Sequence, residues 1–153
     1  MIRAPIKFIL YFTQINHPMK TTGYSGTPLA KKLGIKSNFK IKLVNPPDYY
    51  FKLFSDLPEN MKEVKDTKKD FIHYFAKDAE TLNKEIKGLK NELEQNGMIW
   101  ISWYKKSSKI PTDVTENIIR DIALKNGLVD IKVCAVDEIW SGLKLVIPVK
   151  DRK

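Results

Sequence analysis

The sequence predicts an α/β domain: a three-layer, Rossmann-like fold whose mostly parallel sheet closes on a C-terminal antiparallel hairpin. Three observations predict it. Short apolar runs alternate along the chain with amphipathic stretches, as strands and crossover helices do around a parallel sheet. Two of those runs, DFIHYFA at 70–76 and MIWISW at 98–103, are apolar without alternation, as expected of strands covered on both faces. The length, 153 residues, suits one domain that buries a core without a disulfide or metal.

Taken in order, KTTGYSGTPLAKKLGIK at 20–36 opens with turn residues and continues as a short helix. Thr27 is its expected N-cap, Pro28 its first helical residue and Gly34 its exit. Lys40–Asn45 is the first strand. Pro46 and Pro47 cannot continue a central strand but can open a helix over DYYFKLFSDL at 48–57. Lys62–Lys65 is a short second strand. Asp78 caps a helix over Ala79–Gln95, with Leu82, Ile86, Leu89 and Leu93 on one stripe and Asn96-Gly97 as its stop.

Beyond the loop YKKSSKIP, Asp113 and Glu116 have capping-box spacing. Val114, Ile118, Ile119, Ile122 and Ala123 give that helix its apolar face, and Asn126-Gly127 ends it. LVDIKVCAV, the turn DEIWSG and LKLVIPV form the closing hairpin, which would place an antiparallel strand at the edge of a five- or six-stranded sheet. From DFIHYFA onward this order resembles the second half of the S-adenosylmethionine-dependent methyltransferase fold. The likeness is one of architecture, which does not determine function.

Three stretches, GYSGTPLAKKLGIK at 23–36, IWISWYKKSSKIPTDVTE at 99–116 and GLVDIKVCAVDEIWSGLKLV at 127–146, resemble a bacterial domain-of-unknown-function family numbered 3052. The resemblance implies no activity and no catalytic residues. It leaves residues 1–18 outside, so these are expected to be an extension or an upstream start, with Met19 opening a single domain over 19–153.

Charge and composition narrow the functional classes. The net charge is +9, and the first 47 residues hold Arg3 and seven lysines without one acid. Such an end attracts nucleic acid, anionic lipid or a phosphorylated ligand. Only three of the 27 basic residues are arginine, the residue suited to bidentate phosphate and base recognition, so nucleic acid is not the leading expectation. Cys134 has no second cysteine to pair with, and the apolar run FILYF is too short for a signal peptide or membrane span. A cytoplasmic location without membrane contact is expected by default.

Several motifs invite chemical readings. Asn45-Pro46-Pro47-Asp48-Tyr49 is similar to the Asn-Pro-Pro-aromatic turn of amino-group methyltransferases, but Asp48 intervenes and the motif follows the first strand. No G-x-G-x-x-G or Walker pattern exists, which disfavours a dinucleotide or nucleoside triphosphate held in the usual way. Gly23-Tyr24-Ser25-Gly26 lacks the second glycine and preceding strand of a nucleophile elbow. Ser102-Trp103-Tyr104-Lys105 matches S-x-x-K by letters alone. His17 and His73 are the only histidines; no metal-ligand spacing appears, and His73 reads as a satisfied core residue.

The expected ligand site is the crevice beyond the carboxyl ends of the strands. There Trp103 and Trp140 would stack on an aromatic ligand, Lys105 and Lys106 would neutralise an anion or meet a tryptophan face, and Asn45 would orient polar groups. Ser107 and a helix beginning at Thr112 or Asp113 would add hydroxyl and N–H donors, and Asp137 would emerge at the same rim. A small-ligand-binding or regulatory domain is therefore the leading expectation. An atypical methyltransferase using S-adenosylmethionine is the second, and a basic module contacting RNA or an acidic protein through residues 20–42 is the third.

Overall fold

A computed structural model describes residues 26–153. The expected extension at 1–18, His17 and the elbow-like Ser25 lie outside the described residues. Among the described residues, three α-helices, α1 (Leu29–Leu33), α2 (Ala79–Asn91) and α3 (Glu116–Lys125), accompany six strands. The strands are β1 (Lys40–Val44), β2 (Lys62–Glu63), β3 (Lys69–Phe75), β4 (Leu93–Tyr104), β5 (Val129–Ala135) and β6 (Trp140–Val146). They form one sheet in the order β2-β1-β3-β4-β6-β5. The first four run parallel; β6 is antiparallel to both β4 and β5. This is a Rossmann-like α/β sheet, mostly parallel with a C-terminal antiparallel pair. The antiparallel strand is not the edge, as expected, but is inserted between β4 and β5.

Side-chain parity divides the core in two. Ile72, Tyr74, Ile99, Ile101, Leu143 and Leu145 point to one face, where they meet Leu82, Ile86 and Leu89 of α2 and Ile119 and Ile122 of α3. Phe71, Phe75, Trp100 and Trp140 point to the other, against α1 and a 3-10 turn at Tyr50–Leu53. Two amphipathic helices thus cover the first face. The second is covered by shorter pieces. Trp100, wholly buried, anchors α1 there by donating its indole N–H to the Leu33 carbonyl at 2.8 Å.

Several local expectations need correction. The helix expected over 48–57 is only the 3-10 turn, because Tyr50 and Phe54 are both drawn into the core beside His73 and Phe75. Thr27 is not the cap of α1; Pro28 holds that position, and the Asp56 carboxylate accepts from the Ala30 and Lys31 N–H groups at 3.1 Å each. The long helix stops at Asn91 rather than Gln95. Leu93 already pairs with Lys69, while Met98 pairs with Phe71, so β4 carries extra residues in a bulge that contains Asn96-Gly97. Gly97 is required by contact: a Cβ there would lie 3.0 Å from the Lys69 and Asp70 carbonyl oxygens.

Below that bulge lies an ionic cluster. Lys69, 2% exposed, donates to Glu92 and to the Lys65 carbonyl at 2.9 Å each, and Lys42 reaches the same carboxylate at 2.9 and 3.0 Å. Burial pushes Glu92 up, but hydrogen bonds from Lys69 and Lys42 outweigh it and hold the carboxyl below its ordinary range. Lys40 pairs with Glu94 at 3.1 Å. Two lysines of the acid-free N-terminal stretch are therefore neutralised by acids fifty or more residues away.

Candidate functional site at the carboxyl rim

The rim is organised by the point where the chain changes direction across the sheet. From β1 it moves outward to β2, then returns to the other side of β1 to form β3. The crossovers diverge beyond Val44 and Phe75, a switch point of the kind at which open α/β sheets bind ligands. Asn45 stands at the end of β1. Its backbone is left-handed (φ 56°), which turns the chain sharply, and its side-chain amide lies 3.5 Å from the Phe75 carbonyl. Neither Pro46 nor Pro47 has an N–H to offer, so this turn lacks the backbone donors of a phosphate cradle.

From Asn45 the chain crosses the rim on the second face. Tyr50 contacts His73 of β3, and Tyr49 reaches Asp137 and Trp140 in the turn and opening residue of the closing hairpin. Burial and then the Asp137 carboxylate push the Tyr49 hydroxyl up to about 12. Asp137 has a structural duty as well: its Oδ1 accepts from the Ile139 and Trp140 N–H groups at 2.8 Å each, closing the hairpin turn. Trp140 is 4% exposed, stacked on Tyr104 at 4.3 Å and met edge-on by Phe75 at 4.8 Å.

The structure brings Asp137 and Trp140 together beside Tyr49, sets Asn45 against the Phe75 carbonyl at the end of β1, and leaves Trp103 on the other face. Tyr104, not Trp103, lies opposite Trp140 in the β4–β6 register. Directly paired residues share a face, so Trp103 points toward the helices, where it packs beside the first core. The two indoles stand at one rim but on opposite faces and cannot wall one pocket. Trp140 also opens β6 rather than sitting in a turn.

The lysine and hydroxyl groups behave differently from expectation too. Lys105 joins the rim through its backbone, donating to the Ile139 carbonyl at 2.8 Å, while Lys106 and Ser107 are exposed in a 3-10 turn. The expected helix N-terminus at Thr112 or Asp113 is absent, because α3 begins at Glu116 with Thr115 as its cap. Thr112 accepts from Val114 N–H at 3.1 Å, and its hydroxyl faces the Lys77 carbonyl. Asp113 instead accepts from Ala79 N–H at 2.9 Å, joining Asp78, which accepts from Thr81 N–H. Two carboxylates therefore stand at the start of α2, where an anion would otherwise be welcome.

Beneath the rim lies a hydrogen-bonded chain of three buried groups. The His73 ring nitrogens meet Tyr50 Oη at 3.0 Å and Ser102 Oγ at 2.8 Å, and the ring stacks on Phe75 at 4.3 Å. Burial lowers the His73 pKa to about 3, so the imidazole is neutral. Ser102 and His73 are both wholly buried. The network ties β3, β4 and the 3-10 turn together through buried hydrogen bonds. Among the described residues no group of three His, Cys, Asp or Glu side chains is placed to hold a metal, and no helix is long and apolar enough to cross a membrane.

Sequence reasoning missed Tyr49 and Tyr104 as rim residues. Tyr104 was legible from parity alone: it follows Trp103 in one strand and so must face the other way.

Comparison with known proteins adds likenesses of chain path. No family model and no curated protein matches the chain, so nothing supports the resemblance to the family numbered 3052. Among solved structures, the fibrillarin pre-rRNA processing protein of Methanococcus jannaschii is similar with a TM-score of 0.49 and 14% identity, covering 73% of this chain and 67% of that one. A NADB-Rossmann superfamily protein from Streptococcus agalactiae is similar with a TM-score of 0.46 and 10% identity, covering 82% and 70%. Magnesium protoporphyrin IX methyltransferase from Synechocystis PCC 6803, solved with SAM bound, has a TM-score of 0.41 and 15% identity, covering 59% of this chain and 45% of that one. This chain thus corresponds to less than half of that enzyme's length.

Proposed function

We propose that this chain is a small-molecule-binding domain of methyltransferase type, with its ligand at the rim where β1 and β3 diverge. The observation that supports the reading is the strand order, whose switch point falls between the carboxyl ends of β1 and β3, with Asn45 in a left-handed turn just beyond Val44. The chemistry around that switch point selects among ligands. Pro46 and Pro47 withhold backbone donors, and Asp78 and Asp113 occupy the nearest helix start, so a dinucleotide or other phosphate ester is poorly served. Of the expected anionic or aromatic ligand, this reading favours the aromatic one.

S-adenosylmethionine fits the donor set better. It carries a sulfonium cation and no phosphate. The rim offers the half-buried rings of Tyr49 and Tyr104 and the Asp137 carboxylate, groups that attract a cation. Asn45, exposed at the turn, supplies an amide donor and acceptor for the ligand's polar groups. Bound there, S-adenosylmethionine would supply an electrophilic methyl group. The chain's own part is to hold and orient it.

Isothermal titration with S-adenosylmethionine and its demethylated product tests the reading. Asn45→Gly keeps the left-handed backbone and removes the amide, so binding weakens about tenfold, the loss of roughly one net hydrogen bond. Absence of heat with either compound, or equal affinity for wild type and Asn45→Gly, refutes the assignment.

A further inference from the structure

We infer that the second face of the sheet near its β5 edge is a binding surface for the phosphate backbone of single-stranded nucleic acid, with Lys36, Lys132 and Lys144 as its cationic groups. The surface is separate from the rim. Lys132 of β5 lies directly opposite Lys144 of β6 in the antiparallel register, so both side chains leave the same face. Like charges placed this way destabilise a sheet, and opposite charges would stabilise it. Lys36 approaches from the segment after α1, where the Lys144 ammonium also lies close to Gly34. Lys32 borders the group, donating to the Ala135 carbonyl at 3.2 Å.

None of Lys36, Lys132 and Lys144 takes part in an ion pair among the described residues, whereas Lys40, Lys42 and Lys69 all do. The Lys144 pKa is lowered by burial first and then by Lys132 and Lys36, the electrostatic mark of cations gathered without a counter-charge. Many other described lysines also lack an ion pair; what sets this group apart is that Lys132 and Lys144 face one another across the β5–β6 ladder with Lys36 beside them.

The form of the surface selects an extended polyanion over a compact phosphate. The three ammonium groups are separate charges, carried on β5, on β6 and on the segment after α1. Lysines so arranged neutralise successive phosphates without reading sequence. The lysines expected to serve such a role at 20–42 are only partly involved: Lys32 and Lys36 belong to the surface, and Lys40 and Lys42 do not.

The test is fluorescence anisotropy of a labelled single-stranded uridine 20-mer titrated with the full chain between 50 and 200 mM salt. Three neutralised phosphates give a log–log salt slope near −2.1, an affinity loss of about twentyfold over that range. Lys132→Gln with Lys144→Gln lowers the slope by about 1.4, while Lys87→Gln with Lys125→Gln, an equal charge loss on exposed helix positions, leaves it unchanged. The first pair also melts at the same temperature as wild type or higher, because repulsion is relieved. Equal losses from both pairs, a lower melting temperature for the first, displacement by polyglutamate as effective as by unlabelled RNA, or no binding at 50 mM salt would each overturn the inference.

Discussion

Replacing His73 by glutamine tests the buried Tyr50–His73–Ser102 chain most sharply, because the substitution keeps a hydrogen-bonding side chain and removes the titration. The imidazole is neutral in the folded protein, with its pKa near 3, while an unfolded histidine titrates near 6.5. A lowered folded pKa means that the unfolded chain takes up the extra proton as pH falls, so stability declines below about 6.5. Between pH 7 and pH 5 the cost to wild type is about 2 kcal/mol, a value insensitive to the folded pKa while that stays below about 4. Glu92 and Asp78, whose pKa values are lowered, contribute stability above their unfolded values near 4 and lose it only below that window. Urea unfolding followed by tryptophan fluorescence at both pH values supplies the free energies. The account expects wild type to lose about 2 kcal/mol more than His73→Gln over this interval. Equal losses in the two proteins would show that His73 is already protonated or exposed.

Three further outcomes are expected. Gly97→Ala costs about 1–3 kcal/mol in urea unfolding, because the new methyl meets two backbone carbonyls that cannot move aside; an unchanged midpoint would contradict the close approach. Glu92→Ala costs about 2–3 kcal/mol by stripping buried Lys69 of its charged partner, and the loss is largest above pH 5, where Glu92 is ionised. Asp56→Ala costs roughly 1 kcal/mol through the Ala30 and Lys31 N–H groups it leaves uncapped, and exchange of those two amides speeds up; unaltered exchange would remove the capping role.

The parts of this fold that were legible in the sequence are those decided by local periodicity. DFIHYFA and MIWISW read as buried strands because nearly every side chain is apolar, and β3 and β4 are the two central strands. Asn126 and Gly127 do end α3, with Gly127 at φ 79°. What the sequence concealed was decided by partners far along the chain. Asn96-Gly97 has the composition of a helix stop, yet the close carbonyls of Lys69 and Asp70 make it a bulge within β4. Asp113 has capping-box spacing with Glu116, yet it caps the helix beginning 34 residues earlier. DYYFKLFSDL has helical composition, but burying Tyr50 and Phe54 against β3 leaves it only a 3-10 turn.

At the rim the same limit applied differently. The carboxyl ends of the strands were identifiable from strand direction, so Asn45, Asp137 and Trp140 were expected at the strand ends, where they stand. Trp103 was grouped with Trp140 by residue type, whereas the β4–β6 register pairs Trp140 with Tyr104. Lysine density at the N-terminal end likewise masked the distinction between lysines that meet Glu92 or Glu94 and those that face one another across β5 and β6.

The most direct test of the rim assignment is a backbone amide shift map recorded while S-adenosylmethionine's demethylated product is titrated into the isotopically labelled chain. The account predicts that the largest shifts fall at Asn45, Tyr49, Ala76, Lys77, Tyr104 and Asp137. Shifts confined instead to the shallow depression of about 230 Å³ beside Ala30, Lys36 and Asp56, or a spectrum unchanged by excess ligand, would contradict it.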